Sequence, residues 1–369
     1  RWLARAVGPK DLHPGIGDGH LGSATNSLEQ GQEFFQTDTD RYVGVDRTRS
    51  HFFPESGFAA MRNGPGEQDA YLFHTFGPWG GWHSHMDPTS FSFFALGEPL
   101  IEEAGRFEGY DNPLSFYLRA PECHNIVTVD GAHFDADDID WRVPKDPVWL
   151  STPDLDFLTC HHRAYRYNAL EPQSTNITIR RTVVFVKDPG YALVFDTAIP
   201  EDSPNPIFTI TQNWHSPWPF RTLGPDRART EGEKAMLLIW GRRQWLRRLE
   251  PGMDYGGEET KEEGRWAERY HLRARRWADI GYDGAIGFAT VLYPFEGSPP
   301  EVTVRPVEAK CEAAHRHRAE AIEVTRPGGR DLFVLNPETL PGLRFENRPV
   351  PAMGFVKLAG EETPVRLET

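Results

Sequence analysis

The chain has 369 residues, enough for one large domain with a smaller one or for two medium domains, and a formal net charge of −14, with 38% of its residues hydrophobic and 12% aromatic. So acidic a chain, without a basic run, repels nucleic acid and anionic lipid, and an acidic polysaccharide would need local arginines set against that field. No apolar run approaches the ~20 residues of a membrane span.

Residues 1–49 read as a helical remnant and linker: "RWLARAV" suits a last helical turn stopped by "GPKD", and a Gly-rich polar stretch follows. From about residue 50 the period falls toward two. "GFAAMRN", "AYLFHTF", "SFSFFALG" and "NIVTVDG" are short strands between turn residues. "ITIRRTVVFVKDPGYALVFDTAI" is the clearest hairpin, turning at Lys187-Asp188-Pro189-Gly190. "IFTITQNWH", "AMLLIW" and "AIGFATVLYPF" carry the pattern to 297, and residues 298–369 add a smaller set, "EVTVRPV", "AIEVTR", "DLFVLN" and "MGFVKL". Residues 241–277 read as a charged excursion between strands. With no βαβ alternation, the expected fold is all-β: a large antiparallel sandwich over 50–297 and a smaller C-terminal β region. Three cysteines, Cys123, Cys160 and Cys311, are too few for a disulfide framework and are expected as buried thiols.

Chemistry concentrates in one stretch. "GWHSHMD" (81–87) places His83 and His85 on one face of an extended strand, with Asp87 after them. Glu102 and Glu103 follow, then Tyr110, Arg119 and His124. Imidazole and carboxylate suit zinc, and two histidines with one acid on adjacent strands make a three-ligand site with a position left over. The alternative is histidines that share no ligand, since the spacing matches none of the short zinc templates. "DADDID" (135–140) lacks the glycine and terminal glutamate of an EF-hand loop and reads as a surface turn.

From Ser56 to about His215 the chain resembles the β-sandwich domain of heparinase II/III-like polysaccharide lyases, which include heparin/heparan and alginate lyases. The stretches that carry the likeness are "SGFAAMRNG", "GWHSHMDPTSFSFFALGEPLIEEAG", "HNIVTVDG" and "IRRTVVFVKDPGYALVFDTAI". The resemblance implies a supersandwich-like fold and divides the histidine pair. His83 would line the catalytic cleft, while His85, Glu103 and His124 would bind a structural zinc. Glu103 stands where the family usually has Asp, with Glu102 as a competitor. Trp82 replaces a small residue before the first histidine.

Lyases of this kind cut the C4–O4 bond of a uronic acid by β-elimination. The resemblance therefore implies an acidic polysaccharide substrate, with Tyr110 as a second catalytic candidate and Arg119 and Trp82 as substrate contacts. It also implies an α/α-toroid domain ahead of the sandwich, for which the first 45 residues are too short. The expectation is a lyase component completed by such a domain or by a companion chain, working in the periplasm or outside the cell. Two other readings use the same residues: a non-catalytic carbohydrate-binding module with a structural zinc, and a hydrolase with zinc-bound water.

Overall fold

The β-branched and aromatic runs form strands, and these strands pair antiparallel throughout the described residues. The structure, a computed structural model, describes residues 5–11, 47–77, 84–103, 118–129, 145–168, 171–202, 207–242, 245–249, 270–279, 285–312 and 317–368. The predicted hairpin is its centre. Glu171–Val186 pairs with Tyr191–Asp202, with Val186 opposite Tyr191 and Thr182 opposite Phe195. Gly190 closes the turn at φ 92°, and a Cβ there would strike Asn63 and Ala70, so the turn docks directly on the preceding strands.

Among the described residues the strands form five sheets. A first sheet is a meander of His51–Phe53, Phe58–Arg62, Tyr71–Thr75, Phe91–Ala95 and Glu98–Ile101. The long sheet has eight strands, running from Phe220–Gly224 at one edge through the central hairpin to Lys145–Ser151 at the other. The third, called here the site sheet, runs in the order Trp245–Leu249, Tyr270–Asp279, Ile207–Ser216 and Val127–Val129. A C-terminal sheet of five strands starts at Thr303–Val307, and a small three-stranded sheet lies beside it in the chain. The sandwich expected from the sequence is thus the architecture observed.

Two strands contradict the reading of 241–277 as a solvated excursion. Trp245–Leu249 and Tyr270–Asp279 belong to the site sheet, the second pairing with Ile207–Ser216 along its whole length. The arginines of "YHLRARRW", with Arg273 and Arg275 on the outward face, mask the inward Leu272 and Ala274, which are fully buried. At the N-terminus, Arg5 and Ala6 are helical, and the segment is tied to the first sheet by Arg62, which donates to Arg5 O at 2.9 Å and Val7 O at 3.1 Å. Cys123 and Cys160 are buried as expected, while Cys311 is half-buried.

The long sheet is covered on both faces. Val183, Phe185, Ala192 and Val194 face a core shared with the first and site sheets. Their neighbours Val184, Val186, Leu193 and Phe195 face a second core built with Ile322, Val324, Phe333 and Leu367 of the C-terminal strands. Double coverage is why "TVVFV" and "YALVF" read as unbroken apolar runs rather than alternating ones.

Histidines are buried in these cores. Burial lowers His162 to about 3, with nearby Arg181 adding to it, and lowers His74 well below the usual imidazole value. The unfolded chain therefore takes up protons near pH 6.5 that the folded chain refuses, so stability present above that pH is lost as pH falls toward 3. Denaturant titrations are expected to show a loss steepened by about 1.4 kcal/mol per pH unit for each such group. His162→Leu is expected to flatten that limb; an unchanged slope would place the proton uptake elsewhere.

Candidate metal and substrate site

A tight hairpin brings the acidic residue into place. Leu96 and Gly97 both have positive φ, 58° and 78°, a two-residue turn that matches the twist of the flanking strands. It folds Glu98–Ile101 back on Phe91–Ala95, so that Glu103 lies beside Ser90 and the Ser90 hydroxyl donates to Glu103 Oε1. Glu102 faces elsewhere along the backbone, its N–H donating to His215 O at 3.0 Å. A 3-10 turn, Pro121–Cys123, then delivers His124, whose Nδ1 meets Glu103 Oε2. The acid that reaches His124 is therefore Glu103 and not Glu102.

Asn125 locks the pair. Its side-chain amide donates to Phe91 O at 3.0 Å, Glu102 O at 3.2 Å and Glu103 Oε1 at 3.2 Å, and its Oδ1 accepts from the His215 N–H at 2.7 Å. His85 stands beside the pair with its ring centre 5.2 Å from that of His124. Arg119 lies on the same segment: its carbonyl accepts from Met86 N at 3.0 Å and its guanidinium reaches Ser84 O at 3.4 Å.

Burial works against charge here, and the pairing overcomes it. Burial would lower the His124 imidazole, yet the Glu103 charge and hydrogen bond raise it, with Asp87 and Glu122 helping. Burial would raise Glu103, yet His124 and the Ser90 hydroxyl hold it below the usual carboxylate range. Asp87 is pushed up to about 6 by burial, opposed by His124 and reinforced by Glu103. His215, nearby and buried, is lowered to about 3.

Underneath runs a buried polar network. Arg181 grips Asp196 through two nitrogens at 2.7 and 2.8 Å and donates to Thr89 O at 2.8 Å and to Asn125 O. Gln212 extends it, donating to Asp196 at 2.7 Å and accepting from Trp240 Nε1 at 2.8 Å and Thr290 Oγ1 at 2.9 Å. Thr89 needs the support, because φ 69° is left-handed backbone that costs a β-branched residue about 1–3 kcal/mol.

Of the residues singled out from the sequence, the structure brings together His85, Glu103, His124 and Arg119. His83, Trp82 and Tyr110 lie outside the described residues. Among the described residues, no group of three or more His, Cys, Asp or Glu is arranged to hold an ion; what stands there is a bonded His–Glu pair with a second imidazole, His85, at its edge. Two imidazoles and a carboxylate are donor types that zinc accepts. Two imidazoles on one tetrahedral zinc at about 2.0–2.1 Å have ring centres about 5 Å apart, close to the 5.2 Å between His85 and His124. Ser90, Asn125 and Arg181 were not singled out from the sequence. The only signal for Asn125 was its place beside His124 in "HNIV".

The outer face of the site sheet adjoins this centre. Along Tyr270–Asp279, Leu272 and Ala274 turn into the core, so His271, Arg273, Arg275 and Trp277 share the opposite face. His215 is opposite His271 in the register, and their rings stack at 4.1 Å. Asn213, on the same face of its strand, accepts from His271 Nε2 through Oδ1 at 2.9 Å and donates through its amide nitrogen to Thr128 Oγ1 at 3.1 Å.

An antiparallel sandwich holding a buried imidazole–carboxylate pair, in the motif order noted above, is the kind of β-domain that the resemblance implied. The family comparison agrees. Residues 45–305 match the model described as heparinase II/III-like, C-terminal, and the chain belongs to the heparinase II/III-like polysaccharide lyase family. Among solved structures it is similar to the heparan sulfate lyase HepC from Pedobacter heparinus, with 18% identity and a TM-score of 0.68 over 90% of this chain and 51% of that one. Two structures described as heparinase III are also similar. One has 19% identity and a TM-score of 0.68 over 89% of this chain and 50% of its own, the other 13% and 0.64 over 89% and 51%. At these identities the likeness establishes the fold, and this chain spans about half the length of those it matches. A comparison with curated proteins finds no match.

Proposed function

We propose that this chain is the β-sandwich part of a lyase that cleaves a uronic-acid-containing glycan, heparan-like or alginate-like, by β-elimination. A base removes the proton on C5, the C4–O4 bond breaks as a C4–C5 double bond forms, and the departing O4 is protonated by an acid. That proton is acidic only when the neighbouring carboxylate is neutralised. His83 serves in the cleft as a proton-transfer or neutralising group, Tyr110 as a second catalytic group, Arg119 as a carboxylate clamp and Trp82 as a stacking surface. An α/α-toroid domain or companion chain supplies the remaining groups, and the work is done in the periplasm or outside the cell.

The observation that carries this reading is the His124–Glu103 pair with the His85 imidazole beside it. Zinc held by His85, Glu103 and His124 would be structural, fixing the backbone two residues beyond His83 and so setting where that imidazole points. Heparan sulfate is the substrate in the printed name of one structural neighbour, which supports an acidic glycan as the substrate class.

Mixed with an α/α-toroid domain of the same family, the chain is expected to generate ultraviolet-absorbing 4,5-unsaturated product from heparan or alginate. His83→Ala is expected to slow this by about 10²–10⁴-fold while leaving the fold intact. No product from heparan, alginate, hyaluronan or chondroitin, with both parts folded, would overturn the lyase reading. Binding without cleavage would then favour the carbohydrate-binding module.

A further inference from the structure

We propose that Arg273, Arg275 and Trp277, on the outer face of the site sheet, form a binding track for an acidic glycan strand leading away from the His124–Glu103 centre. The inference rests on the lyase reading and adds the residues that would hold the polymer beyond the cut.

The track follows from strand geometry. Residues 271, 273, 275 and 277 fall on one face at about 7 Å intervals, so the row spans roughly 20 Å. Its inner end is joined to the centre, since His271 stacks on His215 and the His215 backbone is bonded to Asn125, which also holds Glu103. That end is closed, with His215, His271 and Asn213 all buried. The row then opens outward: Arg273 and Arg275 are half-buried, and Trp277 is 68% exposed. Exposure thus rises along the row, so a bound strand would meet the arginines first at the outer end.

Chemistry selects the occupant. This chain carries 54 acidic against 40 basic side chains, so two arginines in register on one strand face oppose the overall field. Guanidinium groups pair with carboxylate or sulfate through two parallel hydrogen bonds, a geometry a neutral sugar cannot use. Arg273 Nε is buried and has no hydrogen-bond partner among the described residues, a donor that an anionic group would satisfy. Trp277 offers a broad apolar face with a polar edge, suited to stacking on a sugar ring at the open end. Nucleic acid is also polyanionic, but a long duplex would extend well past this short row against the chain's net charge of −14.

The test is calorimetric binding to the full chain, which needs no catalysis. The probes are a heparan-type hexasaccharide, an alginate hexasaccharide and neutral maltohexaose. At least one acidic probe is expected to bind and to weaken with added salt, while maltohexaose does not bind. Arg273→Gln with Arg275→Gln is expected to lower acidic binding at least about tenfold and to reduce its salt dependence. Arg275→Lys is expected to restore the salt dependence and part of the affinity, and Trp277→Ala to weaken binding without altering its salt slope. Thermal melts check that each variant is folded; if the double glutamine variant is not, the single substitutions Arg275→Gln and Trp277→Ala, at half-buried and exposed positions, carry the test. Acidic binding unchanged in the folded arginine variants would overturn the track and leave the lyase reading standing. No acidic binding by the parent chain, or equal binding of maltohexaose, would also overturn it. The lyase reading is decided separately, by the unsaturated product.

Discussion

Replacing Arg181 with methionine is expected to cost about 3–5 kcal/mol of stability, the largest single effect of any substitution considered. Arg181 is buried, and its partner Asp196 is fully buried. Removing the guanidinium leaves a carboxylate far from water with, among the described residues, Gln212 alone donating to it at 2.7 Å. It also frees the carbonyls of Thr89 and Asn125, so the strained Thr89 backbone loses its tie. Two observations separate these contributions. Arg181→Met with Asp196→Leu is expected to recover much of the loss, because a buried pair replaced as a unit costs far less than one broken in half. The portion not recovered measures what the two carbonyls contribute. Chemical denaturation of the three variants gives the cycle, and a loss below about 1 kcal/mol for the single change would show that the network is not structural.

Replacing His124 with alanine is the second. If zinc binds as proposed, elemental analysis of the parent chain finds a single zinc, and His124→Ala loses it together with a fall in Tm. His85→Ala is expected to do the same. His83→Ala is expected to keep both the metal and the Tm while impairing turnover. Glu103→Gln keeps a hydrogen-bonding group of the same size but not the charge, and metal retention there would show that the carboxylate orients His124 rather than binding the ion. Loss of metal in His83→Ala would reverse the roles assigned to the two histidines of "HSH".

Much of the fold was legible because its signals are local. "TVVFVKDPGYALVF" announces a hairpin through β-branched runs and a Pro-Gly turn, and the structure pairs those residues as expected. Tyr270–Asp279 was not legible, because a strand whose outer face is lined with arginine looks like a charged loop until its partner is known. The centre divides in the same way. His85, Glu103 and His124 were found through the order of motifs, and the pairing of Glu103 with His124 follows that order. Asn125, Ser90 and Arg181 act through contacts across 13 to 92 positions of sequence, and no spacing rule reaches so far. A small polar residue or a strand arginine carries no mark of its partner.

The double covering of the long sheet bears on how the chain can be divided in the laboratory. A fragment stopped at residue 297 would keep every ligand and catalytic candidate, yet strip the lid from Leu155, Val184, Tyr191, Leu193 and Phe195. Tyr191 would also be parted from Asp331, whose carboxylate accepts its hydroxyl at 2.6 Å. Such a fragment would present a wide oily slab to water and be prone to clump, so useful deletions belong in loops rather than at the tail.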